Sequence, residues 1–417
     1  MIHNTKNSSI KVKVLFILLG FFGVILFSFD SFKKDQFNHL NQAKFDFTGT
    51  NSLFIEIDKG IRFNWITSKD DIGSYELVDS KNTIISKGKT AMGRVHSVSI
   101  DYFLKESLIF RFGGENESRF EANLRPIELT KKSVFKNVDS LFVVGDVHGR
   151  YDQLINLLQK SKVIDKELNW IAGRSNLVFL GDLFDRGNDV TKVLWFIYEL
   201  EQKALDTGGR VHLVLGNHEI MTMTNDLRYI GAKESTIARV YKIQYDYMFH
   251  PTKSLLGSWL LSKPSVLKID KSIFAHGGIV DLGTNSIEEF NETVYNLMKD
   301  PIFLEIMKDK PDSLKYDIMA WKYMRYFFYN EDSPFWYRGY AYYDTLQSQL
   351  NKMLNKYDSK IHVIAHTPVQ TITQRYKGKL LTTDLNEAAT ELLLLVRKKN
   401  KYSKFKIDST GTISELN

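Results

Sequence analysis

Gly145-Asp146-Val147-His148-Gly149 follows directly on the apolar run Leu141–Val144. A short unbroken apolar run ending in a glycine turn reads as a strand buried on both faces. Helical periodicity follows over Tyr151–Ser161. The unit then repeats. Strand Leu177–Leu180 leads into Gly181-Asp182-Leu183-Phe184-Asp185-Arg186-Gly187 and a helix over Asp189–Leu205, and strand Val211–Leu215 leads into Gly216-Asn217-His218-Glu219. Strands alternating with helices predict an α/β domain with parallel pairing and ligands at the carboxyl ends of the strands.

Two later runs end alike. Ser272–Ala275 precedes His276-Gly277-Gly278, and Ile361–Ala365 precedes His366-Thr367. Five strand ends therefore present Asp/His, Asp, Asn/His, His and His. Oxygen and imidazole donors without sulfur suit Mn, Fe or Zn. The glycines allow the sharp turns that aim such ligands into one site. Further strand-like runs are Ser265–Ile269, Thr371–Tyr376, Leu380–Thr383 and Glu391–Val396.

GDVHG, GDLFDRG, GNHE, HGG and a late His together resemble the calcineurin-like metallophosphoesterases, and within them the phosphoprotein-phosphatase family. HGG in place of the commoner HAG, with Phe335-Trp336-Tyr337-Arg338-Gly339, is similar to the bacterial Shewanella-like phosphatase branch. The resemblance covers about residues 138–400. It implies a β-sandwich flanked by helices, a domain over 138–410, and two divalent metal ions (Mn, or Fe/Zn). Carried over residue by residue, Asp146 and His148 would hold the first metal and Asp182 would bridge. Asn217, His276 and His366 would hold the second. A water activated between the cations would attack phosphorus directly. His218 would protonate the leaving oxygen, Asp185 would orient it, and Arg186 and Arg338 would grip phosphate oxygens. The implied substrate is a phosphorylated protein (Ser/Thr or Tyr) or a small phosphomonoester. Dinucleoside polyphosphate hydrolysis, or an inactive membrane-tethered binding protein, are the competing readings. Arg150 reads as a surface residue at a helix start, Glu219 as a support residue, and His212 and His96 as ordinary strand residues.

Residues 45–130 alternate with period two (Leu53/Ile55/Ile57, Leu108/Phe110/Phe112), with turn signals at Asp58-Lys59-Gly60, Asp70-Asp71-Ile72-Gly73, Ser80-Lys81-Asn82 and Gly113-Gly114. This predicts a small separate β-sandwich-like domain of about six or seven strands. Residues 287–357 read as a helical, aromatic-rich insertion, either core or a lid.

At the other end, Val14–Phe29 is a sixteen-residue run without a charge. After Lys6, Lys11 and Lys13, it predicts an N-terminal membrane helix within residues 1–40 acting as a signal-anchor, with a cleaved secretory signal as the alternative. Either puts the catalytic domain outside the cytoplasm, in the periplasm or at the cell surface. The chain has 417 residues, no Cys and a net charge of +7. Lacking Cys, it has no thiolate metal site, iron–sulfur cluster or Cys nucleophile. The charge is +3 over 1–40, +4 over 397–417 and zero between. A nucleic-acid binder carries its excess on the folded body, so no nucleic-acid partner is expected. The C-terminal basic cluster reads as a solvated face or a guarded strand edge.

Overall fold

Alternate residues of the strand Asn176–Phe179 serve two different cores. Leu177 and Phe179 pack with the helices, while Val178 and the following Leu180 pack with Leu141, Val143, Phe274, Val363, Leu381 and Leu393. Side chains in a strand alternate faces, so a run apolar at every position must be covered on both sides. The second of these cores lies between two six-stranded sheets. The computed structural model describes residues 45–127, 132–308, 318–386, 388–399 and 401–416.

One sheet carries Ser140–Val144, Asn176–Phe179 and Arg210–Leu213 in parallel, as the strand–helix alternation predicts. It is extended by the antiparallel strands Glu391–Lys398, Lys401–Asp408 and Ile413–Glu415. The other runs Thr373–Arg375, Leu380–Thr382, Ile361–Ile364, Ser272–Ala275, Val266–Ile269, Val134–Phe135. The five ligand-bearing strand ends thus come three from one sheet and two from the other. Helices Tyr151–Lys160 and Val190–Asp206 contribute Leu154, Leu157, Val193 and Leu194 to the outer core.

The β region differs from the expected sandwich. It is one five-stranded sheet: Phe54–Ile57, Ile61–Asp79, Leu108–Gly114 and Phe120–Leu124 in order, with Ile84–Ile100 on Ile61–Asp79. Asp70-Asp71-Ile72-Gly73 is not a turn but lies inside the long strand, where the register slips between Ile66 and Asp71 and again before Ser74. Polar, glycine-containing irregularities of this kind mark bulges as well as turns. Gly73 is needed there, because a Cβ would lie 2.5 Å from His96 Nδ1 and Thr90 Oγ1. His96 itself is buried, between the hydroxyls of Thr90 (2.7 Å) and Thr67 (3.1 Å).

This sheet shares one continuous apolar core with helices Tyr151–Lys160 and Val190–Asp206. Trp195 Nε1 donates to Leu53 O (3.0 Å), Tyr241 Oη to Ser52 O (2.8 Å), and the buried Lys233 Nζ to Asn51 Oδ1 (2.8 Å) and Asp189 Oδ1 (2.7 Å).

The insertion is helical over Ile287–Lys299, Pro301–Lys308, Ile318–Tyr329, Gly339–Tyr342 and Gln347–Lys356. Part of its aromatic set meets the core expectation. Phe303, Phe328 and Phe335 are buried core, while Tyr323 and Tyr326 are exposed. The C-terminal basic cluster is less solvated than expected. Lys406 Nζ pairs with Glu391 (2.8 Å), Lys404 Nζ donates to Gln374 Oε1 (3.0 Å), and Arg397 pairs with Asp270. The outermost strand of that sheet is instead Ile413–Glu415. The proposed membrane helix lies outside the described residues, and no helix among those described is long and apolar enough to cross a membrane.

Candidate metal centre and active site

His148, Asp182, Asp185, Arg186 and His366 all have positive φ, at 48°, 51°, 68°, 62° and 65°. Non-glycine residues avoid this region, and their concentration in the turns that end the strands marks backbone held in place by its surroundings. Gly181 (φ 87°) lets two of these turns meet, since a Cβ there would lie 2.4 Å from Gly216 N. Glu219 locks the junction. Its Oε2 accepts from the backbone N–H of Asp182 (2.9 Å) and Gly216 (2.7 Å), and its Oε1 accepts from Leu183 N (2.8 Å).

Asp182 stands at the centre. Its Oδ2 lies 3.2 Å from His276 Nε2, 3.7 Å from His218 Nε2 and 3.8 Å from His148 Nε2, and its Oδ1 accepts from His218 N (3.0 Å). Burial would raise its pKa, but His276, His218 and His148 hold it well below the usual carboxylate range. Asp146 Oδ2 is 3.6 Å from His148 Nε2, and its Oδ1 accepts from His366 N (3.3 Å). Asn217 Oδ1 and His366 Nδ1 lie 2.8 and 3.1 Å from His276 Nε2. All six residues named as metal ligands are buried and brought together.

The residues fit a pair of cations. His148 Nδ1 faces the carbonyl of Phe184 (2.7 Å) and His276 Nδ1 that of Leu180 (2.7 Å). A carbonyl only accepts, so each Nδ1 carries the hydrogen and the Nε2 lone pair points into the site. The Nε2 atoms of His148 and His366 are buried without a protein partner. Atoms that could hold a cation form two groups, His148/Asp182/His218 and Asp182/His276/His366, each within 4.8 Å; Asp182 belongs to both, and His218, paired with Asp185, is not one of the six named ligands. Asp146 stands beside the first group rather than within it. Asp182 would be the residue that the two cations hold in common, and its charge would offset theirs. The negative charge draws protons when no cation balances it. Burial opposes charging His276, yet Asp182 and Asp146 push its pKa up to about 10.

His218 Nδ1 is 2.6 Å from Asp185 Oδ2. Burial lowers the His218 pKa, but the charge of Asp182 and the bond to Asp185 outweigh it, and the net shift is upward. Arg186 is exposed and acts on His218 through its charge. Its N–H donates to Tyr229 O (2.8 Å), and the Tyr229 ring lies 5.5 Å from that of His218. Arg338 Nη1 donates to His366 O (2.6 Å), and the Trp336 ring stands edge-on to His366 at 5.6 Å. Arg150 is exposed just before Tyr151–Lys160, and His212 is buried in its strand.

One residue was missed. Asp384 is buried just beyond strand Leu380–Thr382, and burial plus the charges of Asp146 and Asp182 push its pKa up to about 8. The strand-end rule that picked out the other candidate residues points to it as well.

Residues 140–370 match the model of the calcineurin-like phosphoesterase family. The chain belongs to that family. Among curated phosphoesterase relatives, Shewanella-like protein phosphatase 1 of Plasmodium berghei is 30% identical over 236 residues, covering 54% of this chain and 60% of its own. The symmetrical bis(5′-nucleosyl)-tetraphosphatase of Buchnera aphidicola (subspecies Schizaphis graminum) is 28% identical over 208 residues, covering 45% and 67%. A cold-active protein-tyrosine phosphatase of a psychrophilic Shewanella has a similar solved phosphoesterase fold. The TM-score is 0.64 at 25% identity, with 89% of this chain and 100% of that one covered. That likeness extends well outside residues 140–370, into the flanking sheets.

Proposed function

We propose that the chain is a metal-dependent phosphoric monoester hydrolase acting on phosphoprotein, aryl or small phosphomonoester substrates. The observation that carries this reading is Asp182, shared by two ligand groups and set against the His218–Asp185 pair. Two bound divalent cations, with Mn²⁺ our first choice, would supply Lewis acidity and neutralise phosphate charge. The chain's own groups do the rest. Arg186 and Arg338 grip phosphate oxygens. His218 holds a proton at Nε2 and delivers it to the leaving oxygen, while Asp185 fixes the ring. Tyr229 and Trp336 flank the site with aromatic surface suited to an aryl group.

The test is hydrolysis of p-nitrophenyl phosphate and of phosphotyrosine and phosphoserine peptides by the purified Mn²⁺-loaded protein. Turnover lost in Asp182→Asn supports the reading, and an inert wild-type protein with metal bound overturns it. The name of the Buchnera relative favours a second reading, hydrolysis of dinucleoside polyphosphates, and diadenosine tetraphosphate in the same panel separates the two.

We also propose that residues 1–40 anchor the protein in a membrane with the catalytic domain outside the cytoplasm, on the strength of the uncharged run Val14–Phe29. Recovery of the full chain in the soluble cytoplasmic fraction would overturn this.

A further inference from the structure

A cavity of about 550 Å³ lies along strand Arg210–Leu213, and its lining includes neither Asn217 nor His218. It lies where Arg125, just past the β sheet, meets the catalytic domain. Four cationic side chains line it (Arg125, Lys132, Arg210 and Lys263) against one carboxylate, Glu201. That carboxylate is fully engaged. It accepts from Arg125 Nη2 (3.0 Å), Trp259 Nε1 (2.9 Å) and Lys263 Nζ (2.5 Å).

Arg210 and Lys132 are different. Both are exposed, and both cationic ends face one aromatic ring: Lys132 Nζ is 5.0 Å and Arg210 Cζ 5.7 Å from the centre of Phe135. Two like charges converging on one ring, without a carboxylate among the described residues, leave a positive potential facing the cavity.

A second observation is independent of charge. His212 also lines the cavity, is only 9% exposed, and its Nε2 has no partner. The Phe135 ring packs edge-on to it at 4.6 Å. The His212 Nε2 is closed to solvent, so the ring lines the cavity as wall. Phe135, Trp259, Leu205 and Leu213 supply apolar wall, and the volume falls within the roughly 300–1,000 Å³ usual for small-molecule sites.

We propose that this cavity binds a small organic anion, a phosphate, sulfonate or carboxylate carried on an apolar or aromatic body. Arg210 and Lys132 hold the anionic head, and Phe135 and Trp259 contact the body. The site goes beyond the phosphatase reading and does not depend on it.

The experiment is calorimetric titration of the full-length, metal-loaded protein with 2-naphthalenesulfonate, which has a fixed charge and no hydrolysable phosphate. Saturable one-to-one binding with a dissociation constant of about 1 mM or lower is expected, weakened about tenfold in each of Arg210→Ala and Lys132→Ala. Both residues are on the surface, so unchanged thermal unfolding of the variants verifies their fold. No saturable binding to the wild type, or equal affinity in the double variant, overturns the proposal.

Discussion

His218 Nδ1 lies 2.6 Å from Asp185 Oδ2, and the opposite ring nitrogen faces the shared carboxylate of Asp182 at 3.7 Å. The imidazole is thus held between a carboxylate that orients it and one that favours its charged form. Asp185→Asn removes an orienting charge and lowers the His218 pKa, so the alkaline limb of the kcat/KM profile moves to lower pH. The rate on phosphoserine or phenyl phosphate falls by about 10²–10⁴. The fall on p-nitrophenyl phosphate is smaller, because p-nitrophenolate leaves without a proton. An equal loss on both substrate types would remove His218 from the role of acid. The His218→Asn/Asp185→Asn double variant should be little worse than His218→Asn alone, since the two act as a unit.

Asp182→Asn takes away the one carboxylate common to both ligand groups. Elemental analysis after Mn²⁺ loading should show most of the bound metal lost. Activity should fall with it while circular dichroism stays native.

Glu219 touches no ligand-group atom directly but accepts three backbone N–H groups in the turns around Asp182. Glu219→Gln turns one acceptor into a donor facing N–H groups. It should cost about 1–3 kcal/mol of stability and weaken Mn²⁺ activation by about 10–100-fold. Thermal unfolding and Mn²⁺ titration of activity read the two effects.

Glu234 is buried beside Thr191 and Tyr245, and burial pushes its pKa up to about 7 from the ordinary 4.5. A carboxyl whose folded pKa is raised keeps its proton while the unfolded chain loses it. Its contribution is present in full below about pH 4.5 and is lost as pH rises through about 7, amounting to roughly 3 kcal/mol. Glu234→Gln should gain stability relative to wild type as pH rises across that window, as denaturant unfolding at several pH values would show. A constant difference would mean that Glu234 is already ionised in the folded state.

The candidate ligands were legible in the sequence because strand ends are local events: an apolar run, a glycine and a polar donor within a few residues, as in Leu141–His148 and Leu177–Asp182. The helices between them were legible for the same reason. Asp384 obeys the rule after Leu380–Thr382, but Thr382-Thr383-Asp384 has no glycine to draw attention. The β region misled at Asp71-Ile72-Gly73, because a bulge and a turn use the same residue types and differ only in whether the chain keeps its partner strand.

By itself the sequence picked out the candidate metal-ligand and dyad residues, their order, and the even charge balance of residues 41–396. Only the tertiary structure decided that the five strand ends belong to two sheets, that Asp182 sits in both ligand groups, and that the β sheet shares a core with helices Tyr151–Lys160 and Val190–Asp206. The pairing of Ser140–Val144 with Glu391–Lys398 joins segments some 250 residues apart. Periodicity tells a strand which faces it must bury. The partner that buries them is chosen by long-range packing, where every apolar strand offers nearly the same chemistry.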